Sequence, residues 1–277
     1  MDSKFIEMEF GRIHYSISST NHPYTILFLH SFHSSSAAFY HINKQLKKQF
    51  NIVCLDFQGH GLSSHIQNEK FFSFYSVDGT AKVLLAFLNH VNLTNFVIIG
   101  NSIGGNAAVR NLANLREVKG LILTGSLQAK TSEQVFNLMY SKAPTDLLFQ
   151  KNLSNAQIQK LASAYVKPNE EYPHGFDQMV EDIKQTDPNF RKYLGESIPK
   201  EKWIDEIQIL QNSSVPLMYI LGEDDGFINS SEYKKHLIKN SIEETSIKIL
   251  KESGHCPHLS TPKQFTHCIL SFMEKLK

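Results

Sequence analysis

The chain has 277 residues, of which 41% are hydrophobic and 11% aromatic, enough for one large domain or one domain that carries an insertion. Its 28 basic and 27 acidic residues give a net charge of +1, and no block of like charge predicts a surface for nucleic acid or an anionic membrane. The first residues do not resemble a signal peptide, and no apolar run reaches the roughly 18 residues that span a bilayer. We therefore expect a cytoplasmic globular protein without nucleic-acid or membrane partners.

Short apolar runs alternate with helical patterns along the chain, which is typical of βα units on a parallel sheet. Each run is nearly continuous in apolar residues, as a strand buried on both faces should be, and each ends in a polar or glycine turn. The predicted strands are residues 24–30, 50–56, 95–101, 118–125, 215–222 and, more weakly, 246–251. The sequence therefore predicts an α/β fold with a mostly parallel sheet flanked by helices.

Two further segments have their apolar residues on one stripe, as helices packed on a sheet do. They are residues 75–91 and 261–276. The stripes consist of Val77, Ala81, Leu84, Leu85 and Leu88 in the first segment and of Phe265, Ile269, Phe272 and Met273 in the second. Asp78 and Thr261 are the expected N-terminal caps, because their short polar side chains can accept hydrogen bonds from the free N–H groups of a first turn.

Residues 131–205 interrupt the alternation of strands and helices. Two segments there, residues 154–166 and 175–183, have apolar side chains at helical spacing, and five of the nine prolines divide the region into short pieces. We interpret the region as a helical cap inserted into a core that comprises residues 1–130 and 206–277. The alternative interpretation is an extra helical layer without a role at the site.

Residues 97–105 read VIIGNSIGG and place Ser102 among glycines directly after a predicted strand. Gly100, Ser102 and Gly104 fit the pattern G-x-S-x-G, and helical sequence follows, which is the strand–turn–helix context of a nucleophile elbow. Glycines at these positions avoid collisions in the sharp turn, and the helix N-terminus favours developing negative charge. A phosphate-binding loop is not indicated, because no Gly-Lys-Ser/Thr follows. Ser102 is the predicted nucleophile.

A serine hydroxyl needs a base that removes its proton, and the usual base is a histidine oriented by a carboxylate. Asp224 and Asp225 follow the strand at 215–222, and His255 lies in a glycine turn before the last helix. We favour Asp225 over Asp224 because it lies further into its turn, and His255 over His258 because it directly follows a glycine. The order Ser, Asp, His along the chain is that of the α/β-hydrolases.

Acyl transfer by a serine also needs two backbone N–H groups that meet the negative charge on the carbonyl oxygen. We expect one from Ile103, the residue after the nucleophile. The other is expected from Phe32, in the loop that follows the strand at 24–30. His30, at the start of that loop, is expected to brace it rather than to react.

The cysteines and histidines do not predict a metal site. Cys54, Cys256 and Cys268 are too few and too scattered for a disulfide framework or a zinc site, and no pair of the 13 histidines has metal-ligand spacing. We therefore expect neither a metal nor another cofactor.

Together these residues give the chain a resemblance to the α/β-hydrolase superfamily over nearly its whole length. The stretch LDFQGHGLSS at 55–64 is similar to that family's D-x-x-G-x-G-x-S loop, which braces the site. Within the superfamily, four stretches resemble the metal-independent N-acyl-homoserine lactonases, the quorum-quenching branch. These stretches are GRIHYSI at 11–17, HSFHSSSAAF at 30–39, GNSIGG at 100–105 and VKGLILTGS at 118–126. The resemblance implies that a serine opens a homoserine lactone ring while the cap holds the acyl tail.

The resemblance has one departure, in the loop expected to supply Phe32. The family usually has His-Gly at its start, whereas this chain has His30-Ser31. Serine adopts a positive φ less readily than glycine. Either the loop takes a different turn, or some strain is held near the site.

The expected partner is a small acyl or lactone substrate, and the residues do not indicate an oligomeric state. Candidates to contact this substrate are His33, Phe136, Met139, Tyr140 and Tyr165. Apolar side chains at helical spacing are equally typical of simple core packing, which is the alternative interpretation for the cap residues. The same triad would also serve a carboxylesterase or a hydrolase of carbon–carbon bonds, and receptors of this fold keep it with slow turnover.

Overall fold

A sheet of eight strands runs through the part of the chain, residues 1–18, 21–140 and 143–276, that the computed structural model describes. The strands are β1 (Asp2–Met8), β2 (Gly11–Ser18), β3 (Thr25–Leu29), β4 (Asn51–Leu55), β5 (Phe96–Asn101), β6 (Val118–Thr124), β7 (Leu217–Gly222) and β8 (Ile247–Leu250). Their order across the sheet is β1-β2-β4-β3-β5-β6-β7-β8. The strands from β4 to β8 pair in parallel, whereas β2 is antiparallel to both of its neighbours. The predicted, mostly parallel sheet is confirmed.

Twelve α-helices surround the sheet within the same described ranges. They are α1 (Tyr40–Leu46), α2 (Val77–Val91), α3 (Ile103–Asn111), α4 (Ser132–Leu138), α5 (Thr145–Leu148), α6 (Asn155–Tyr165), α7 (Pro173–Gln185), α8 (Pro188–Ser197), α9 (Glu206–Gln211), α10 (Ser230–Lys239), α11 (Pro257–Ser260) and α12 (Pro262–Glu274). Short 3₁₀ helices occur at Ser36–Phe39, Glu69–Phe74, Leu112–Asn114 and Glu244–Ser246. Among the described helices, none combines the length and the apolar character that crossing a membrane requires.

The period-two alternation of the strands divides the apolar core between the two faces of the sheet. In β3, Ile26 and Phe28 face one side and join the side chains of α1 and α12. Leu27 and Leu29 face the other side and join α2, α3 and the helices between β6 and β7. All four of these side chains are fully buried, which explains why the strand reads as an unbroken apolar run.

The region between β6 and β7 contains the helices α4 to α9, and two of its prolines start helices. Pro173 and Pro188 occupy the first turns of α7 and α8, where a missing N–H costs no hydrogen bond. Helix α6 begins with a capping box, because Ser154 and Gln157 exchange side-chain to backbone hydrogen bonds. The buried side chains of α6, α7 and α8 are continuous with the core on the same face of the sheet.

The helix caps differ in part from the prediction. The N-cap of α2 is Ser76, whose hydroxyl accepts a backbone hydrogen bond, and Asp78 lies inside the first turn. The prediction for Asp78 is therefore wrong. Thr261 does occupy the N-cap position of α12, but its hydroxyl donates to Ser253 Oγ at 2.9 Å instead of capping the helix. The hairpin of β1 and β2 was not predicted; it turns before Gly11, which has a φ of +133°.

Candidate active site

Ser102 stands at the junction of β5 and α3 with a strained backbone. Its φ of +51° and ψ of −119° lie outside the regions that residues with a side chain favour. Two hydrogen bonds hold this turn to the end of β6 and to the loop that follows it. The Ser102 N–H donates to the Thr124 carbonyl at 2.9 Å, and Ser126 Oγ donates to the Ser102 carbonyl at 2.9 Å.

The glycines on either side of Ser102 are required by close backbone contacts. A Cβ at Gly100 would lie 2.6 Å from Gly105 Cα, and a Cβ at Gly104 would lie 2.6 Å from the Leu29 carbonyl oxygen. Real Cβ atoms do not approach backbone this closely. The turn therefore forms only if these positions have no side chain, which is the role expected of them.

His255 hydrogen bonds to Asp225 and not to Asp224. The distance between His255 Nδ1 and Asp225 Oδ2 is 2.8 Å, and both side chains are buried. The second oxygen of Asp225 accepts the backbone N–H groups of Phe227 and Ile228, which fixes the carboxylate. Because Nδ1 donates to this carboxylate, Nε2 is the ring nitrogen left for a substrate or a nucleophile.

The two alternative residues are engaged elsewhere. Asp224 is exposed and forms an ion pair of 2.7 Å with Lys167. His258 is buried beside the Phe39 ring, and burial lowers its pKa to about 3. Such a histidine stays neutral at physiological pH.

The residues around His255 fix its backbone and its ring. Asn101 Nδ2 donates to the carbonyls of Thr124 and His255 at 2.9 and 3.1 Å. Gly125 has a φ of +52°, and a Cβ there would lie 2.6 Å from the His255 carbonyl oxygen. The rings of Tyr165 and Phe227 meet the imidazole edge-on, with centroids 5.4 and 5.0 Å away.

Ser102 and His255 line one cavity of about 120 Å³, whose walls are mainly apolar. The other lining residues are Phe32, Val77, Ile103, Asn106, Gly125, Leu127, Val135, Met139, Leu148, Phe149, Tyr165, Leu194, Ile198, Trp203, Phe227 and Ile228. The backbone N–H groups of Phe32 and Ile103 donate to no acceptor in residues 1–18, 21–140 and 143–276. The cavity thus brings together a hydroxyl, an imidazole and two unengaged amides.

The loop after β3 takes a turn that does not require a positive φ at Ser31. Ser31 does not adopt a positive φ; His33 does, at +65°. His30 braces the loop as expected, because its Nε2 accepts the Phe57 N–H at 2.9 Å and its Nδ1 therefore donates to the Ser31 carbonyl at 2.7 Å. Burial lowers the pKa of His30, which agrees with this neutral form.

His33 lies behind the cavity wall and does not line the cavity. Its ring stacks on Phe32 at 3.7 Å, and its Nδ1 hydrogen bonds to the Tyr165 hydroxyl at 3.1 Å. Burial also holds the pKa of His33 well below its usual value. The residue therefore supports two lining residues, and the structure does not place it where we expected a substrate contact.

Of the four contacts predicted from residues 131–205, two line the cavity and two do not. Met139 and Tyr165 are lining residues. Phe136 and Tyr140 are 43% and 38% exposed and are not among the residues that line this cavity, and their contact with a substrate stays a prediction. Met139 directly follows α4, four residues after Val135, and both line the cavity, whereas Phe136 is exposed.

Several lining residues were missed by sequence reasoning. Leu148 is the last residue of α5 and Phe149 follows it. Leu194 lies in α8 and Ile198 follows that helix. Neither helix was predicted. Asn106 was also missed, although it stands four residues after Ser102, where a helix presents side chains on one face.

The loop after β4 braces the site through Asp56. Its carboxylate accepts from His14 Nδ1 at 2.7 Å and from the backbone N–H groups of Ser36 and Leu62 at 2.6 and 3.0 Å. Burial opposes ionisation of Asp56, but these hydrogen bonds hold its pKa below the usual value. Gly61 is required here because a Cβ would lie 2.4 Å from that carboxylate.

No three His, Cys, Asp or Glu side chains within the described ranges are grouped so that they would hold a metal ion.

Comparison with known proteins identifies the family. Residues 24–262 match the family described by the alpha/beta hydrolase fold, so the chain belongs to the α/β-hydrolases. A protein named putative esterase/lipase 2 from Mycoplasma pneumoniae is 25% identical, with 92% of this chain and 90% of that protein covered. Human monoacylglycerol lipase ABHD6 is 22% identical, with 99% and 82% covered.

Solved structures agree with this fold. A mutant of N-acyl homoserine lactonase AidH, complexed with N-hexanoyl homoserine, superposes with a TM-score of 0.86 at 20% identity and covers 100% of this chain and 97% of its own. Esterase RhEst1 from Rhodococcus sp. ECU1013 superposes with a TM-score of 0.82 at 17% identity, with 100% of both chains covered. At these identities the likeness shows the fold.

Proposed function

We propose that the protein is a serine hydrolase of ester bonds in which Ser102, His255 and Asp225 form the catalytic triad. One observation carries the proposal: an imidazole held by a buried carboxylate lines the same cavity as a serine on a strained strand–helix turn. The relatives named as esterases and lipases support the reaction class.

In this mechanism His255 Nε2 removes the proton of Ser102 while Oγ attacks the substrate carbonyl carbon. The N–H groups of Phe32 and Ile103 stabilise the tetrahedral oxyanion, and one such donor contributes roughly 10²–10³-fold to the rate. His255 then gives its proton to the leaving oxygen. A water molecule, activated by the same imidazole, releases the acyl group and restores the serine.

We further propose N-acyl-homoserine lactones as substrates. The Ser102 Oγ–carbonyl bond would form and the ring C–O bond would break, with the proton passing from His255 to the ring oxygen. The acyl tail would lie on the apolar wall of Met139, Phe149 and Leu194. The match over the whole chain to a lactonase complexed with N-hexanoyl homoserine supports this choice.

A carboxylesterase is the second candidate. The relatives named esterase/lipase and the similarity to esterase RhEst1 favour it. The two candidates need the same triad and differ in the shape of ester that the apolar wall admits.

The test is proton release from the purified protein with N-hexanoyl-homoserine lactone and with p-nitrophenyl hexanoate, each with and without a metal chelator. We expect chelator-insensitive lactone opening faster than ester cleavage, and loss of both in Ser102→Ala. Ester cleavage without lactone opening would leave the triad standing and assign the protein to the carboxylesterases. Undiminished turnover by Ser102→Ala would overturn the triad itself.

A further inference from the structure

Asn106 is a polar side chain in an otherwise mainly apolar cavity wall. It lies on α3 one helical turn beyond Ser102, and its backbone N–H donates to the Ser102 carbonyl at 3.1 Å. Residues four apart on a helix share one face, with Cβ atoms roughly 5–6 Å apart. Asn106 is therefore close enough to contact a group attached next to a carbonyl carbon that Ser102 attacks.

The side-chain amide of Asn106 has a defined orientation. Its Nδ2 donates to the Leu127 carbonyl at 2.9 Å and to Glu206 Oε2 at 2.7 Å. Because these partners accept, the nitrogen and the oxygen of the amide cannot exchange places, and both N–H groups are used.

The carboxamide oxygen of Asn106 is left open. In the described part of the chain nothing donates to Oδ1, and Oδ1 is not one of the buried polar atoms that lack a partner there. An atom that is neither bonded nor buried, on a residue that lines the cavity, is available to a ligand.

A buried network behind the cavity wall holds this amide in place. Glu206 is fully buried, and its Oε1 accepts from Arg110 Nε at 2.7 Å. Arg110 also donates to Glu201 Oε1 at 3.0 Å, and its guanidinium lies 4.5 Å from the Trp203 ring centroid. Buried charges of this kind are stable only while they stay paired, so the network resists rotation of Asn106.

The other polar groups of the cavity already have roles or partners. Ser102, His255 and the two unengaged amides serve the proposed reaction, and the Tyr165 hydroxyl is hydrogen bonded to His33. Asn106 Oδ1 remains as an acceptor that the reaction does not use. An acceptor in an apolar wall disfavours any ligand that covers it without supplying a donor.

We propose that Asn106 is a specificity-determining residue whose Oδ1 accepts a hydrogen bond from the N–H of an acylamino group on the carbon next to the scissile carbonyl. The preferred substrates are then α-acylamino esters and lactones. This inference rests on the proposed function, because it places the scissile carbonyl at Ser102.

The experiment compares pairs of substrates that differ only in N–H against CH₂. One pair is N-hexanoyl-homoserine lactone and α-(2-oxoheptyl)-γ-butyrolactone; the other is methyl N-hexanoylglycinate and methyl 4-oxononanoate. We expect the wild-type protein to favour the N–H member of a pair by about 10–100-fold in kcat/KM. Equal rates within a pair would overturn the proposal without any variant.

The variant Asn106→Leu has a similar size and no acceptor, and we expect it to reduce the preference to less than about 3-fold by slowing the N–H member. Met139→Leu is the matched control: it changes the cavity wall, keeps the acceptor and should retain the wild-type ratio. An unchanged ratio in Asn106→Leu would overturn the role of Oδ1. Stoichiometric labelling of Ser102 by a fluorophosphonate verifies that each variant keeps the turn around Ser102. Turnover of p-nitrophenyl hexanoate that is lost in Ser102→Ala shows that the proposed triad works. If this turnover is present and the N–H preference is absent, the inference about Asn106 fails and the proposed function stands.

Discussion

The cavity has two sides that are held in place by different forces. On the side of the sheet, each chemical group is fixed by hydrogen bonds: His255 by Asp225 and through its backbone by Asn101, and Asp225 by two backbone N–H groups. On the side formed by the segment between β6 and β7, Met139, Phe149 and other lining side chains are held by apolar packing.

The difference indicates where each property of the protein resides. A hydrogen-bonded group has few allowed positions, because an unpaired buried polar atom is costly. An apolar wall of similar volume can repack at moderate cost. We therefore expect the reaction to depend on the sheet side and the choice of acyl chain to depend on the helical side.

The largest effect should come from the nucleophile. Ser102→Ala removes the proposed attacking oxygen and leaves the packing of both sides intact, so we expect kcat to fall by about 10⁶-fold, as it does in known serine triads. Burst and steady-state kinetics with p-nitrophenyl hexanoate measure this loss. A smaller loss of kcat in Ser102→Ala than in a variant of the apolar wall would contradict the view that the reaction depends on the sheet side.

The two neighbouring aspartates give a sharper test of the sheet side. Asp225→Asn should lower kcat by about 10⁴-fold, because the amide no longer favours the imidazole tautomer that leaves Nε2 free. Asp224→Asn, the matched control, loses only an exposed ion pair with Lys167 and should stay within about 3-fold of the wild-type rate. The reverse pattern would assign the acid to Asp224.

Gly125 tests whether the backbone around His255 tolerates any change. Gly125→Ala adds a Cβ at 2.6 Å from the His255 carbonyl oxygen and strains a φ of +52°. Displacement of the imidazole should lower kcat by about 10²-fold, and the strain should lower the free energy of unfolding by about 1–3 kcal/mol. Kinetics and urea unfolding measure the two effects, and unchanged kinetics would show that His255 is held elsewhere.

The helical side should show a change of preference rather than a loss of reaction. Leu194→Ala removes side-chain volume from the apolar wall and so enlarges the cavity. We expect the preferred acyl chain to lengthen by one or two carbons, with changes in kcat/KM of roughly 10-fold per substrate. A series of p-nitrophenyl esters from butanoate to decanoate measures this. A uniform loss across the series would place Leu194 in the reaction instead.

The last effect concerns the stability of the fold and not the reaction, at Asp182 of α7, which joins the two sides. Its carboxyl is buried and accepts from Ser34 and Ser35 hydroxyls at 3.3 and 2.8 Å, and burial raises its pKa to about 7. Between pH 4 and 7 the carboxyl of Asp182 is ionised in the unfolded chain but keeps its proton in the folded chain. The free energy of unfolding therefore falls as the pH rises, by at most about 1.4 kcal/mol per pH unit.

Asp182→Asn removes this titration and should flatten the decline between pH 4 and 7. Glu206, whose burial raises its pKa to about 7, contributes a decline of the same sign that is common to both proteins. The difference between wild type and variant in urea unfolding therefore isolates Asp182. Parallel curves would show that Asp182 is ionised in the folded state.

The sheet side was largely predictable from sequence because its signals are local. Six strands were found as apolar runs, and Ser102, Asp225 and His255 were chosen because each lies directly after a predicted strand or in a glycine turn. The structure places all three at one cavity or beside it, and their catalytic roles remain predictions.

The helical side was poorly predictable because a helical stripe shows which residues are apolar and not what they face. Phe136 and Met139 have the same sequence signal, yet one is exposed and the other lines the cavity. The spacing of Asn106 from Ser102 was the sequence signal for this residue, but its fixed amide could not be predicted because its partner Glu206 is 100 residues away in the chain. The left-handed turn at His33 was equally hidden, since a positive φ at a non-glycine residue follows from tertiary contacts.

The strand order has a consequence for the protein while it is being synthesised. β7 and β8 are the last two strands along the chain and lie at one edge of the sheet, so they are synthesised after the strands from β3 to β6. Chains emerge from the ribosome N-terminus first, so the serine is present well before the imidazole and its carboxylate. The nascent chain therefore lacks the proposed triad until the residues after β7 and β8, which include Asp225 and His255, have been synthesised.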